Sequence, residues 1–270
     1  MNRQEIIDQI RLKKTFLCIG LDTDISMIPR YLLDHPDPVL SFNKAIIDAT
    51  HDLCVAYKIN TAFYESMGSR GWQTLEKTVE HIPAGIFRIA DAKRGDIGNT
   101  SLQYAKAFFE TLPFDAVTIA PYMGADSVQP FLSYPGKWGI VLALTSNPGA
   151  RDFEMLQSGD EFLYEKVIRK AMSWGTPGNL MFVVGATRSE WFSKIREICP
   201  DNFFLVPGVG AQGGSLSEIA TLAMNTDIGV LVNVSRTVIY ASNQENFAAR
   251  AREAAMAYRV EMEGYLGRRK

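Results

Sequence analysis

Cysteine is scarce in this chain. Cys18, Cys54 and Cys199 are the only three, an odd number at wide separations. That excludes a disulfide frame and offers none of the paired spacings of a zinc site. Cys18 and Cys54 lie inside apolar runs, as buried thiols in a reducing compartment do. Histidine is equally sparse, and His35, His51 and His81 stand apart with no ligand spacing, so no metal is expected. No apolar run approaches the roughly 18 residues of a membrane span. Residues 1–5 open a polar amphipathic helix and lack the apolar core of a signal peptide. A soluble cytoplasmic protein is the expectation. Positive charge is not in excess either. The formal net charge of −2 does not suit a general nucleic-acid binder. An anionic ligand must therefore be held by a local arrangement.

What is present is an alternation. Of 270 residues, 47% are hydrophobic, enough for one large barrel or two ordinary domains. A short helix over 3–13 precedes an apolar run over 15–22 that ends in Asp22. Runs of this kind suit strands buried on both faces of a parallel sheet. Further strand-like runs cover 54–60, 85–93, 116–121, 139–146, 180–187, 203–210 and 228–236. Helical segments fall between them: one capped by Ser41 or Asn43 and running to about Leu53, then 72–81, 99–111, 126–132, 162–174, 190–198 and 217–224. A last helix covers 246–265. The polar connection over 147–160 shows no element of its own, which is how lids and binding loops read. Eight strand–helix alternations without a break in composition predict right-handed crossovers and a parallel sheet. Eight repeats favour a single-domain (β/α)8 TIM barrel over residues 1–270, ahead of a doubly wound open sheet.

In such a barrel the C-terminal strand ends share one face, where active sites are built. The ends collected here are Asp22, then Lys58 and Asn60, then Asp91 and Lys93 with Asp96 just beyond. Thr145, Ser146 and Asn147 follow, then Thr187 and Arg188, and finally Ser235 and Arg236. Strands have to end, and polar residues end them. That explains one or two cases, not two acids and two lysines at three consecutive ends. In Ala90-Asp91-Ala92-Lys93-Arg94-Gly95-Asp96 the strand period of two puts Asp91 and Lys93 on one face. Charge this dense is costly in a closed site unless it has a task. After the seventh strand, Pro207-Gly208-Val209-Gly210-Ala211-Gln212-Gly213-Gly214 is a glycine-rich turn. Arg236 follows the eighth. Loops at these two places cradle phosphate in barrels, with backbone N–H groups and an arginine on the oxyanion.

With these residues placed, the chain resembles the orotidine 5′-monophosphate decarboxylases along essentially its whole length. Asp91-x-Lys93-Arg94-x-Asp96-Ile97-Gly98-Asn99-Thr100 is similar to that family's signature. Arg94 and Thr145-Ser146-Asn147-Pro148-Gly149 resemble a subgroup of slightly longer bacterial enzymes (type 2). The glycine-rich turn and Ser235-Arg236 are further matches. The resemblance implies a cofactor-free lyase, usually a homodimer, that turns orotidine 5′-monophosphate into UMP and carbon dioxide. It implies Lys93, Asp91, Asp96 and Lys58 as the catalytic set. For the substrate it implies Asp22 at the ribose, Ser146 at the pyrimidine, and Gln212, Ser235 and Arg236 toward the phosphate. Asp96, Ile97 and Thr100 are implied to reach into a partner subunit's site. Two rivals are a magnesium-dependent sugar-phosphate lyase or synthase on the same barrel, and a barrel that binds a nucleotide without catalysis.

Overall fold

The computed structural model describes residues 1–210 and 213–268. Eight parallel strands close into a barrel in sequence order, each paired with the next and the eighth with the first. They are β1 (Leu17–Gly20), β2 (Ala56–Asn60), β3 (Phe87–Arg94), β4 (Ala116–Ile119), β5 (Trp138–Leu144), β6 (Leu180–Val184), β7 (Phe203–Pro207) and β8 (Val230–Val234). The expected barrel is therefore the observed one. The reason lies in the runs themselves: β1, β4, β6 and β8 are buried at every residue. A strand buried on both faces needs cover inside and out, which closure and an outer ring of helices supply.

Helix ends follow local chemistry. Arg3–Lys13 starts on a capping box in which Asn2 accepts from the Glu5 N–H at 3.0 Å and Glu5 accepts from the Asn2 N–H at 2.7 Å. The second helix begins earlier than expected, as Pro38–Thr50. Its cap is Asp37, which accepts from the Leu40 N–H at 3.0 Å, with Pro38 in the first turn, where its missing N–H costs nothing. Ser41 and Asn43 are inside this helix. Asn43 is buried, accepting from Thr23 and donating to Tyr64 and Thr78. Gly68–His81 also starts ahead of its predicted boundary. Gly98–Lys106 continues into a wider π-turn over Ala107–Thr111. The last helix is Phe247–Gly267.

Two connections differ in kind from expectation. The 147–160 segment is not bare. It holds a 3-10 turn, Pro148–Arg151, and the first strand of a two-stranded hairpin, Gln157–Ser158 against Glu161–Phe162. Arg236 does not end a strand; it opens the short helix Arg236–Ile239. No helix of the described residues is long and apolar enough to cross a membrane. Trp138 is fully buried at the start of β5, edge-on to Phe87, its indole N–H bonded to the Met1 carbonyl at 2.8 Å. This contact ties the N-terminal segment across the barrel's lower end, away from the C-terminal strand ends.

Candidate active site

A cavity of about 310 Å3 opens at the C-terminal ends of the strands. Its walls carry Asp22 after β1, Lys58 on β2, Asp91 and Lys93 on β3, and Thr118 on β4. Four of these form an alternating row of charge. Lys58 Nζ lies 3.0 Å from Asp22 Oδ1 and 2.9 Å from Asp91 Oδ2. Lys93 Nζ lies 2.5 Å from Asp91 Oδ1. The row runs from the buried to the open: the Lys58 side chain is 5% exposed, that of Lys93 50%.

Burial and charge compete along it. Burial by itself pushes the Lys58 ammonium down, but the Asp22 and Asp91 carboxylates outweigh it and hold its pKa above the ordinary lysine value. Burial pushes Asp91 up, and the Lys58 and Lys93 charges outweigh that and hold it below the usual carboxylate range. Lys58 and Asp91 are thus each kept ionised by the opposite charges beside them. Removing Lys58 would leave the Asp22 and Asp91 carboxylates without their shared buried partner, which costs about 3–5 kcal/mol.

Lys93 reaches Asp91 by an unexpected route. Strand alternation alone does not set the pair. β3 and β4 are in register at Ala90 and Val117 and again at Arg94 and Ile119, so β3 carries two extra residues in between. Lys93 takes up the bulge with φ of 48°, the left-handed region. Its N–H donates to Thr118 Oγ1 at 2.9 Å, and that hydroxyl donates to Asp91 Oδ1 at 3.0 Å. Thr118 was missed in the sequence, although a hydroxyl within the apolar run Ala116–Ile119 was its signal.

The other cavity walls come from β5 to β8. Ser146 lies beyond the end of β5 and lines the cavity. Gly185, just after β6, packs against it so closely that a Cβ there would sit 2.7 Å from the Ser146 amide nitrogen. Gly208 lines the cavity after β7 at φ of 101°, which glycine alone adopts without strain. Ser235 and Arg236 lie after β8. Ser235 Oγ donates to the Gly20 carbonyl at 3.0 Å, while Arg236 is exposed at the rim. Glu154, also missed, accepts from the Thr145 N–H at 2.7 Å and from its hydroxyl, pinning the 147–160 connection to the end of β5. Nothing in a polar loop marks such a residue in advance.

Not every predicted site residue is gathered here. Asp96 accepts from the Ile97 N–H at 2.7 Å and, with Ile97 and Thr100, is not among the residues lining this cavity. Among the described residues Asp96 makes no ion pair with Lys93, whose ammonium is paired with Asp91. Ile97 is 58% exposed, close in sequence to the site. Gln212 lies outside the described residues. Cys18 is buried in β1, its thiol directed to Asn233 Oδ1 at 3.6 Å and pushed well up by burial, which makes it inert. Among the described residues no three His, Cys, Asp or Glu side chains gather in a metal-ligating group.

A closed parallel barrel with convergent acids and lysines at the C-terminal strand ends defines the class: a barrel enzyme with an electrostatically organised mouth. Comparison with known proteins narrows it. Residues 15–251 match the model of the Orotidine 5′-phosphate decarboxylase / HUMPS family, and the chain belongs to that family. It is similar to an orotidine 5′-phosphate decarboxylase of Christiangramia forsetii, 57% identical over 265 residues that cover 97% of each chain. Among solved structures it is similar to the OMP decarboxylase of Leishmania donovani, with a TM-score of 0.81 and 38% identity over 96% of this chain and 99% of that one. The UMP synthase of the same organism matches with a TM-score of 0.82 and 39% identity. The match covers 94% of this chain but only 56% of that longer one.

Proposed function

We propose that this chain, as a single barrel domain, decarboxylates orotidine 5′-monophosphate to UMP, the last step of de novo pyrimidine nucleotide synthesis. The observation that carries this reading is the row Asp22–Lys58–Asp91–Lys93 on the cavity wall. In a chain of this family, it supplies what the reaction needs. The C6–carboxylate bond breaks with its electron pair left on C6, in an orbital the pyrimidine ring does not delocalise. Stabilisation then has to come from a positive charge held at that carbon. Lys93, the open end of the row, is that charge and the proton donor: it stabilises the developing carbanion, then transfers a proton from Nζ to C6 as carbon dioxide leaves. No cofactor takes part. Asp91 holds the ammonium in place through its Oδ1. Its repulsion of the substrate carboxylate is a secondary contribution.

The remaining walls bind. Asp22 and Lys58 take the ribose hydroxyls, Ser146 reads the pyrimidine edge, and Gly208, Gln212, Ser235 and Arg236 hold the phosphate. Phosphate binding far from C6 is spent on positioning the reacting carbon. The protein acts as a cytoplasmic homodimer, with Asp96, Ile97 and Thr100 completing the neighbouring subunit's cavity. The exposed apolar side chains of Ile97, Tyr122, Met123 and Phe153 support an interface on this side of the molecule.

The magnesium-dependent lyase reading fits the wall less well. The carboxylates of Asp22 and Asp91 that would face a metal already share the Lys58 ammonium between them. One assay tests both: loss of orotate-ring absorbance with purified protein, with and without chelator. Turnover unaffected by chelator is expected. No change in absorbance would overturn the reading, and turnover abolished by chelator would favour the rival.

A further inference from the structure

We infer that Thr118 is the positioning residue that sets where the Lys93 ammonium stands, a role that rests on the decarboxylase reading above. A threonine hydroxyl has one proton to give and lone pairs to accept with. The Thr118 hydroxyl is buried, and both capacities face the site: it accepts the Lys93 N–H at 2.9 Å and donates to Asp91 Oδ1 at 3.0 Å. The same Asp91 oxygen accepts from Lys93 Nζ at 2.5 Å. Backbone and side chain of Lys93 are thus tied to one carboxylate oxygen, through a closed ring of three residues.

The bulge explains why such a tie is needed. Between the paired residues Ala90–Val117 and Arg94–Ile119, β3 has two residues too many for the ladder. The Lys93 amide therefore finds its acceptor in a side chain of β4. A non-glycine residue in the left-handed region persists only where its surroundings over-determine it. Thr118 supplies that determination at the residue whose ammonium must meet the substrate. Its hydroxyl also occupies a lone pair of the same Asp91 oxygen that holds the Lys93 ammonium. Misplacement by about 1 Å of a reacting group lowers rate roughly a hundredfold.

The test compares Thr118→Val, which keeps shape and loses the hydroxyl, with Thr118→Ser, which keeps the hydroxyl and loses the methyl. In the decarboxylation assay, Thr118→Val is expected to lose roughly ten- to a hundredfold in kcat with little change in KM, and Thr118→Ser to recover most of it. Equal kcat for Thr118→Val and the unmodified protein would overturn the inference, as would equal losses in both variants. If Thr118→Val does not fold, Thr118→Ala against Thr118→Ser isolates the hydroxyl, and equal kcat in that pair overturns it. Hydrogen exchange at the Lys93 amide reads the geometry without turnover. Exchange slow in the unmodified protein and in Thr118→Ser, and fast in Thr118→Val or Thr118→Ala, is expected; equal exchange in all would count against it. An unmodified protein that leaves orotidine 5′-monophosphate unchanged overturns the proposed function instead, while the exchange measurement still decides the role of Thr118.

Discussion

At the scale of single residues, the site is a contest between burial and charge, and charge wins because opposite signs alternate. Asp91 is held below the ordinary carboxylate range, so its share of stability is present above about pH 4, the unfolded value. That share is lost only as pH falls through the lower folded value. Lys58 is held above the ordinary lysine value, so its share is present below about pH 10 and lost as pH rises beyond it. Urea unfolding between pH 5 and 9 should therefore show no step due to this pair. A step in that window that disappears in Asp91→Asn would contradict the assignment. Lys58→Ala leaves Asp22 and Asp91 facing each other and should lower stability by about 3–5 kcal/mol in the same measurement. Lys93→Ala removes the half-exposed end of the row. It should leave thermal unfolding nearly unchanged while turnover falls by roughly 10⁴ or more; near-normal turnover would sink the mechanism.

At the scale of elements, the site depends on where each strand stops. Gly185, just after β6, lies against Ser146, and a methyl there would clash with the Ser146 backbone. Gly185→Ala should cost about 1–3 kcal/mol of stability and raise KM by displacing Ser146. Arg236 sits at the cavity rim on the first turn after β8. Arg236→Ala should raise KM far more than it lowers kcat, because it removes binding remote from the reacting carbon. The strands themselves were legible in sequence, since fully buried parallel strands leave long apolar runs. Boundaries were less so. The cap at Asp37 was hidden by Pro38, which belongs to the helix though proline usually marks a loop. The hairpin in the 147–160 connection is too short to leave a pattern, two residues a side.

At the scale of the whole molecule, closure turns eight sequence-distant strand ends into one rim, and that rim leaves Asp96, Ile97 and Thr100 outside its own cavity. The proposed homodimer gives them a destination in the neighbouring subunit. Mixing inactive Lys93→Ala with inactive Asp96→Ala protein should restore part of the activity, because one of the two sites in a hybrid dimer is intact. Absence of recovery after demonstrated subunit exchange would place Asp96 in its own subunit's service. Light scattering of the unmodified protein should give twice the 30.1 kDa chain mass.

The amino-acid sequence alone determined the barrel and most of the charged groups at its mouth. Both are periodic or terminal features of single strands, written in contiguous residues. Only the tertiary structure decided which of those groups meet. Asp91 and Lys93 pair through a two-residue bulge and the hydroxyl of Thr118, not through alternation alone. Asp96, three residues further on, accepts from the amide of its own neighbour Ile97. A bulge is a mismatch between two strands, so neither strand's sequence by itself contains it.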